Sequence, residues 1–491
     1  MSPETSSQQH ARPWLILAMV GVAQLMVVLD ATIVNIALPS AQRALGFSND
    51  SRQWVVTAYA LAFGSLLLVG GRIGDYFGRK RALIAGLIGF ALASAMAGLA
   101  QSFEVLVAAR ALQGAFGALL APSALSILTT TFADPEERGT AFGVYGAIAG
   151  GGGAIGLLLG GVLTEYIDWR STLFVNLLFA IPAAAAALAL LGHERPAARP
   201  ALDLPGVATA TGGLFALVYG FSNAETHSWG APPTVGSLAL SAALLGAFVL
   251  LQARGRQPLL PLRVVLDRDR GGSFLAMGIS GIGVFGVFLF LTYYLQRTLG
   301  FSPVQTGLAF LPMMGAIVTS ATLMSTRVLP RTGPRPLVPT GMLMAAVAMM
   351  LLTRVGVHTG YATHVLPSLV LMGVGLGMVF APAMATATGD VHPQDAGVAS
   401  ALVNTMQQVG GSIGVALLST LSATAAAGFI AAHGGPTQRS LAAAAVHGYT
   451  TAFWWAAGIF LLGALISSAL LRSGAQALDA GAASEPALAH S

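Results

Sequence analysis

Residues 71–81 read GRIGDYFGRKR, and they place four cations, one acid and three glycines between two long apolar runs. Lys and Arg clustered at a membrane edge are held on the cytoplasmic side. The stretch is therefore read as a cytoplasmic turn that orients the membrane helices before and after it. The glycines allow a tight reversal with close helix approach. Asp75 is placed to accept hydrogen bonds from Arg79 or from a nearby helix N-terminus. A plain positive anchor needs only the cations and has no use for an acid between spaced glycines.

Working outward from this turn, the chain is apolar throughout. Of its 491 residues 55% are hydrophobic and 9% are charged, and the mean hydropathy is +0.74. Apolar runs of roughly 20 residues recur from end to end, each long enough to cross about 30 Å of hydrocarbon as a helix. This excludes a soluble protein with one apolar core. The 60 glycines fit helices that pack closely in lipid. With no cysteine there is neither a disulfide framework nor a thiolate metal site, and the nine histidines show no ligand spacing. The basic balance belongs to cytoplasmic loops, so no nucleic-acid partner is expected. No Gly-Lys-Ser/Thr phosphate loop is present, which argues against ATP as the energy source. No cofactor or metal is expected.

In chain order, residues 1–13 read as a cytoplasmic tail, 14–192 as a first six-helix half, 204–252 as two inserted spans, 273–472 as a second six-helix half and 473–491 as a disordered cytoplasmic tail. The first span, about Trp14 to Pro39, carries Asp30 in an otherwise apolar helix. An ionised Asp near a helix centre costs about 2.5–3.5 kcal/mol on insertion scales, which makes it a functional hypothesis. The fourth span carries Arg110, with Gln113 three residues on and so on the same face. Asp30 lies nine residues before Pro39 and Arg110 about six after the outer end of its helix, which puts both at a similar depth in the outer half at about 1.5 Å per residue. A structural hydrogen-bonding acid and a snorkelling arginine are the plainer alternatives. In the fifth span Gly152, Gly156, Gly160 and Gly161 bring two backbones together.

Several of these stretches carry a resemblance. Gly71-x-x-Gly74-Asp75-x-x-Gly78-Arg79-Lys80-Arg81 resembles the signature loop between the second and third helices of the major facilitator superfamily of secondary transporters. Leu29 to Pro39, LDATIVNIALP, is similar to the first-helix motif of its drug:proton antiporters with fourteen spans. Ala108 to Pro122, AARALQGAFGALLAP, resembles the fourth-helix motif, in which the Arg is linked to proton transfer. Gly152-x-x-x-Gly156-Leu157-x-x-Gly160-Gly161 is similar to the antiporter motif of the fifth helix, with Leu157 where a proline is usual. The match opening span six, Trp169-Arg170 with Phe174 and Asn176, is partial, because Leu178 stands where a proline commonly follows. The resemblance implies an all-α membrane protein of the major facilitator fold, with 14 transmembrane helices in two six-helix halves plus two inserted helices.

An internal repeat points the same way. A shift of 255 pairs Arg72 with Arg327, Gly78 with Gly333 and Gly86 with Gly341, and a shift of 258 pairs Gly152–Gly156 with Gly410–Gly414. These offsets fit a duplicated six-helix unit with two spans inserted and parallel halves. Taking both termini as cytoplasmic puts most of the 24 Lys and Arg on the inner side, in agreement with the positive-inside rule.

The expected function is secondary active export of lipophilic drugs or antibiotics from the cytoplasm or inner leaflet of a bacterial cytoplasmic membrane, by alternating access in exchange for protons. Burial disfavours an ionised Asp30 and Arg110 favours it, so a modest rearrangement between them switches proton occupancy. Asp75 and Arg79, with Gly71, Gly78, Lys80 and Arg81, form the expected cytoplasmic gate. Asn35, Gln113, Tyr293, Tyr294, Gln296, Asn404, Gln407 and Gln408 are the expected cavity lining. The working form is expected to be a monomer. A proton symporter and a non-transporting membrane sensor are the competing readings.

Overall fold

The stretch at residues 71–81 is helical except at one residue. In the computed structural model, helix α2 (Gln53–Phe77) runs up to Gly78 and α3 (Arg79–Gly98) starts directly after it. Gly78 makes the reversal alone, with φ +94° and ψ 138°, while its N–H donates to the Gly74 carbonyl at 3.0 Å. Only glycine adopts this conformation cheaply, so the expected loop contracts to a single hinge. A side chain there stores strain of roughly 1–3 kcal/mol. Gly78→Ala is therefore expected to lower the thermal unfolding midpoint of the purified protein. Gly74→Ala, whose new methyl group would stand 3.5 Å from Ser123 Oγ, is expected not to, and equal midpoints would remove the strain argument.

The structure describes residues 3–48, 51–132, 134–192, 203–255, 258–389, 391, 395–433 and 437–472. The expected tail 473–491 lies outside the described residues, as does the side chain of Asp75. The remaining helices are α1 (Pro3–Leu45), α4 (Phe103–Thr131), α5 (Pro135–Tyr166), α6 (Ser171–Leu190), α7 (Leu204–Thr226), α8 (Pro232–Arg254), α9 (Leu262–Leu266), α10 (Arg268–Tyr293), α11 (Pro303–Leu323), α12 (Leu329–Thr332), α13 (Pro334–Leu352), α14 (Leu366–Thr388), α15 (Ala396–Ala432) and α16 (Gln438–Leu470). Short π-helical turns at Tyr294–Thr298, Met324–Val328 and Tyr361–Val365 extend α10, α11 and α14. Helix α1 begins well before the expected Trp14 and runs through Pro39 to Leu45. Helices packed in lipid tolerate an internal proline.

Among the described residues, 12 helices are long and apolar enough to cross a membrane. Helices α2 and α5 are not among them, because the side chain of Leu68 in α2 and many side chains in the first half of α5 lie outside the described residues.

The repeat is visible in the backbone. Among the described residues, four glycines have φ near +70° to +94°: Gly46, Gly78, Gly300 and Gly333. They form two pairs, Gly78 with Gly333 at the end of α2 and of α12, and Gly46 with Gly300 at the opposite end of the bundle. The second pair sits in a matching sequence, Gln42-Arg-Ala-Leu-Gly-Phe47 against Gln296-Arg-Thr-Leu-Gly-Phe301. The two copies also meet in space. Gln42 Oε1 accepts from Tyr293 Oη at 2.8 Å and from Arg297 Nη2 at 3.2 Å, and Gln296 Nε2 donates to the Ile36 carbonyl at 3.1 Å.

Two long seams join α1–α6 to α10–α16: α2 against α15 and α5 against α11. In the second seam the backbones touch. A Cβ on Gly161 would stand 2.8 Å from the Pro303 carbonyl oxygen, and one on Gly307 would stand 2.6 Å from that of Leu157. Helix α7 of the inserted pair covers the first seam, and α8 packs on α7. Leu61 of α2, Val218 of α7 and Ala416 of α15 form a small core of their own. Gln53 Nε2 and Trp54 Nε1 donate to Ser222 Oγ at 2.9 and 3.1 Å, while Thr420 Oγ1 donates to the neighbouring Phe221 carbonyl at 2.8 Å. At the Gly78 end, the segment after α8 again touches both sides. Arg72 Nη2 donates to the Pro258 carbonyl at 3.1 Å, and Arg263 forms a two-pronged pair with Asp395 at 2.8 and 3.0 Å. Hydrogen bonding to Asp395, reinforced by its charge, holds the Arg263 guanidinium above its ordinary value.

Candidate functional site

Helix α1 turns Asp30 inward because its neighbours on that face, Leu29 and Ile33, are fully buried against the glycines of α5. A Cβ on Gly156 would lie 2.9 Å from the Leu29 carbonyl oxygen, and one on Gly160 would lie 2.9 Å from that of Ile33. On the other side α4 presses onto α2, where a Cβ on Gly114 would be 2.3 Å from the Tyr59 carbonyl oxygen. This close contact lets the Arg110 side chain pass between α1 and α2 without reaching either surface.

The result is an ion pair sealed from both sides. Arg110 Nη1 stands 2.6 Å from Asp30 Oδ2, with side chains 1% and 0% exposed, which removes the snorkelling alternative. The same Nη1 donates to Gln113 Oε1 at 2.9 Å, and Nε donates to the Val55 carbonyl at 3.2 Å. The guanidinium carbon lies 4.3 Å from the centroid of the Tyr59 ring, a cation–π contact that adds to the pair where water is excluded. Asp30 Oδ1 accepts from Gln113 Nε2 at 3.1 Å and from Asn176 Nδ2 at 2.7 Å. Both amide nitrogens also donate to Ser94 Oγ, at 2.6 and 2.9 Å. Helices α1, α2, α3, α4 and α6 each contribute to one closed network. The void next to Arg110, lined by Val34, Val55 and Leu173 among others, has a volume of 10 Å³, about the smallest space that holds one water.

The structure brings Gln113 to Asp30 and keeps the other expected cavity residues apart from it. Asn35 Nδ2 donates back to the Ala31 carbonyl at 3.1 Å. Tyr293, Tyr294 and Gln296 lie at the Gly46 end: Tyr293 and Gln296 bond to α1, and Tyr294 Oη donates to the Gly356 carbonyl at 2.8 Å. Arg52 stands 4.0 Å from the Tyr293 ring. With Tyr293 and Tyr294 at most 1% exposed, these residues form a closed contact rather than an open wall. Asn404, Gln407 and Gln408 are half-buried on α15, with Asn404 Nδ2 directed to the Ser400 carbonyl at 3.3 Å and Gln408 Cβ 3.0 Å from the Cβ position of Gly64.

Around the hinge, Lys80 Nζ caps the end of α6 through the carbonyls of Leu188, at 3.0 Å, and of Leu191. Arg79 is half-buried and Arg81 is exposed. Gly71 faces Pro122 of α4, with 3.6 Å from its Cβ position to that ring. On α5, the Cβ position of Gly152 would stand 3.2 Å from the Leu25 and Val28 side chains.

Sequence reasoning missed Ser94, Tyr59 and Asn176 as members of the site. Asn176 had a signal, because a neutral amide in an apolar span needs a partner just as an acid does. It also missed a crevice of about 440 Å³ between α1 and α5, lined by Gly21, Val22, Leu25, Val144, Ile148 and Ile155 among others, because apolar walls give no polar signal. Among the described residues no three His, Asp or Glu side chains gather as metal ligands would.

The profile of the Major Facilitator Superfamily matches residues 20–415. The chain is 52% identical over 476 residues to the puromycin resistance protein of Streptomyces alboniger, covering 95% of this chain and 93% of the relative. It is 39% identical over 427 residues to the cephamycin export protein of Amycolatopsis lactamdurans, covering 86% and 87%. Among solved structures, the POT family transporter PepTSo shares the fold at a TM-score of 0.69 and 14% identity, over 93% of this chain and 97% of that one. The family profile spans most of the chain, including the helices that carry Asp30, Ser94, Arg110 and Asn176, and with such relatives this multi-pass membrane transporter belongs to the Major Facilitator Superfamily.

Proposed function

We propose that the protein exports amphiphilic antibiotics across the bacterial cytoplasmic membrane in exchange for protons, and that Asp30 carries the proton. The observation that carries this reading is the 2.6 Å pair of Asp30 and Arg110 with no exposure to solvent. Such a pair is weak support for stability, because desolvating two charges offsets most of their attraction. Its use is as a switch: a proton on Asp30 loosens the pair and leaves Arg110 held by Gln113 and the Val55 carbonyl. A charge crossing the membrane field gains about 2.3 kcal/mol per 100 mV, which is the energy the proton brings to the cycle. The apolar crevice between α1 and α5 suits the lipophilic part of a substrate, and puromycin is the natural probe given the relative at 52% identity.

The proposal includes fourteen spans in two six-helix halves with both termini cytoplasmic. Helix α2 has 25 residues and α5 has 32, about 37 Å and 48 Å at 1.5 Å per residue. Each also joins two neighbouring helices that run the opposite way. The Gly78 end is then the cytoplasmic end, and the contacts of Gln42 with Tyr293 and Arg297 close the outer one. Asp75 and Arg79 are assigned to the inner gate.

Energised inverted vesicles given puromycin, with proton movement followed by a pH dye, test the coupling. Substrate-induced proton flux is expected for the native chain and is expected to vanish in Asp30→Asn at equal insertion. Flux that survives the substitution removes Asp30 from the coupling, and proton movement together with substrate in the import direction replaces export with symport.

A further inference from the structure

Among the described residues, every hydrogen-bond partner of Asp30 is a donor: Arg110 Nη1 at Oδ2, and Gln113 Nε2 and Asn176 Nδ2 at Oδ1. That shell suits a carboxylate. A protonated Asp30 adds an O–H that needs an acceptor. Gln113 has committed its amide oxygen to Arg110 at 2.9 Å. Asn176, 0% exposed, has not, and its Oδ1 is a buried atom with no hydrogen-bond partner. Orphaned acceptors of this kind are rare inside proteins and call for an explanation. Here the orphan sits on a residue that already touches the acid.

Resting on the proton reading of Asp30, we infer that Asn176 follows its protonation state by turning its side-chain amide: Nδ2 donates to the carboxylate, and Oδ1 accepts the O–H of the acid. The proton arrives on Asp30, no other covalent bond changes, and the net charge of the cluster rises by one. Ser94 Oγ, which accepts from both amides in the carboxylate state, donates to Oδ1 after the turn. Nδ2 takes the place that Oδ1 occupied, so one amide atom is unpaired in either state. The charged and titratable groups facing Asp30 are Arg110 from α4 and Tyr59 from α2. Among the described residues, α3 and α6 bring only the neutral Ser94 and Asn176, and α5 presents glycines. Asn176 is thus a positioning residue that gives the protonated acid its acceptor.

The test uses the full chain in liposomes with puromycin, comparing pH-gradient-driven transport with substrate exchange at equal pH. Asn176→Leu keeps the branched outline of the side chain and removes both polar atoms, so Asp30 loses one of its three donors and, among the described residues, its sole acceptor. The carboxylate loses a charge-assisted bond and the acid a weaker neutral one, so protonation needs less acid. The pH profile of driven transport, taken relative to exchange in the same variant, is expected to move toward alkaline pH by about one unit, a tenfold change in proton affinity. Asn176→Thr, whose hydroxyl both donates and accepts, is expected to keep the native profile. An unmoved profile in Asn176→Leu, or equal displacement in both variants, overturns the inference. If Asn176→Leu fails to insert, Asn176→Ala carries the same comparison. Should Asp30→Asn leave driven transport intact, the proton reading itself falls; should it abolish transport while Asn176→Leu behaves as native, only the role of Asn176 falls.

Discussion

Arg110→Leu is expected to abolish proton-driven transport and to destabilise the protein more than loss of the whole pair does. Removing one partner of a buried ion pair costs about 3–5 kcal/mol, because the other charge stays buried without compensation. Asp30 would still have Gln113 and Asn176 at Oδ1, but Oδ2 would lose its 2.6 Å contact. The carboxyl escapes by keeping a proton, and a permanently protonated acid cannot cycle. The double variant Asp30→Asn/Arg110→Leu removes both charges and is expected to unfold at a higher temperature than Arg110→Leu alone. Arg110→Lys should fall between, since an ammonium cannot reproduce the fork to Asp30, Gln113 and the Val55 carbonyl or stack on Tyr59. Thermal midpoints and puromycin transport of these three variants and of Asp30→Asn check the ordering. If the double variant loses as much as the two singles summed, the sites are independent and the coupling argument fails.

The pair was legible in the sequence because ionised side chains in apolar runs are expensive and few, so each one draws attention, and depth along a helix follows from residue counting. Rotation about the helix axis does not. Tyr293, Tyr294 and Gln296 read as cavity lining on polarity alone, and the structure places them against α1 and the Gly356 loop at the Gly46 end. Ser94 and Tyr59 gave no signal, since neutral polar residues are common in packed membrane helices and their partners are set by tertiary contact. The inserted spans read as an addition to a complete fold. What ties them to both seam helices is a hydroxyl at Ser222 and the carbonyl of Phe221, and a backbone carbonyl is invisible to sequence reasoning. The Gly46 and Gly300 pair, by contrast, lay in plain sight at an offset of 254 and was masked by the richer glycine patterns beside it.

Glycine composition alone cannot separate the positions that matter on α5, and the geometry does. A Cβ at Gly156 would meet Thr32 Oγ1 at 2.1 Å, the Leu29 carbonyl oxygen at 2.9 Å and Leu29 Cα at 3.2 Å, whereas a Cβ at Gly151 would meet nothing within 4 Å. The first clash is cheap, because Thr32 can change rotamer and give up its bonds to the Val28 and Leu29 carbonyls. The other two are with backbone, which can move only if α1 and α5 separate. Overpacking of this kind costs about 1–3 kcal/mol. The functional cost is larger, since the backbone that must move belongs to the residue before Asp30, and the ion pair at 2.6 Å tolerates little displacement. Gly156→Ala is expected to cut proton-driven transport by roughly tenfold or more, the equivalent of about 1.4 kcal/mol. Gly151→Ala, although it lines the crevice between α1 and α5, should keep more transport than Gly156→Ala and be as stable as the native chain or slightly more so, because alanine favours helix over glycine by about 1 kcal/mol. Adding Thr32→Ala to Gly156→Ala clears the nearest atom but not the Leu29 backbone, so rescue should be partial. Full rescue would mean that only the threonine was in the way, and equal transport in Gly156→Ala and Gly151→Ala would mean that α1 moves freely on α5 and does not hold the acid in register with Arg110.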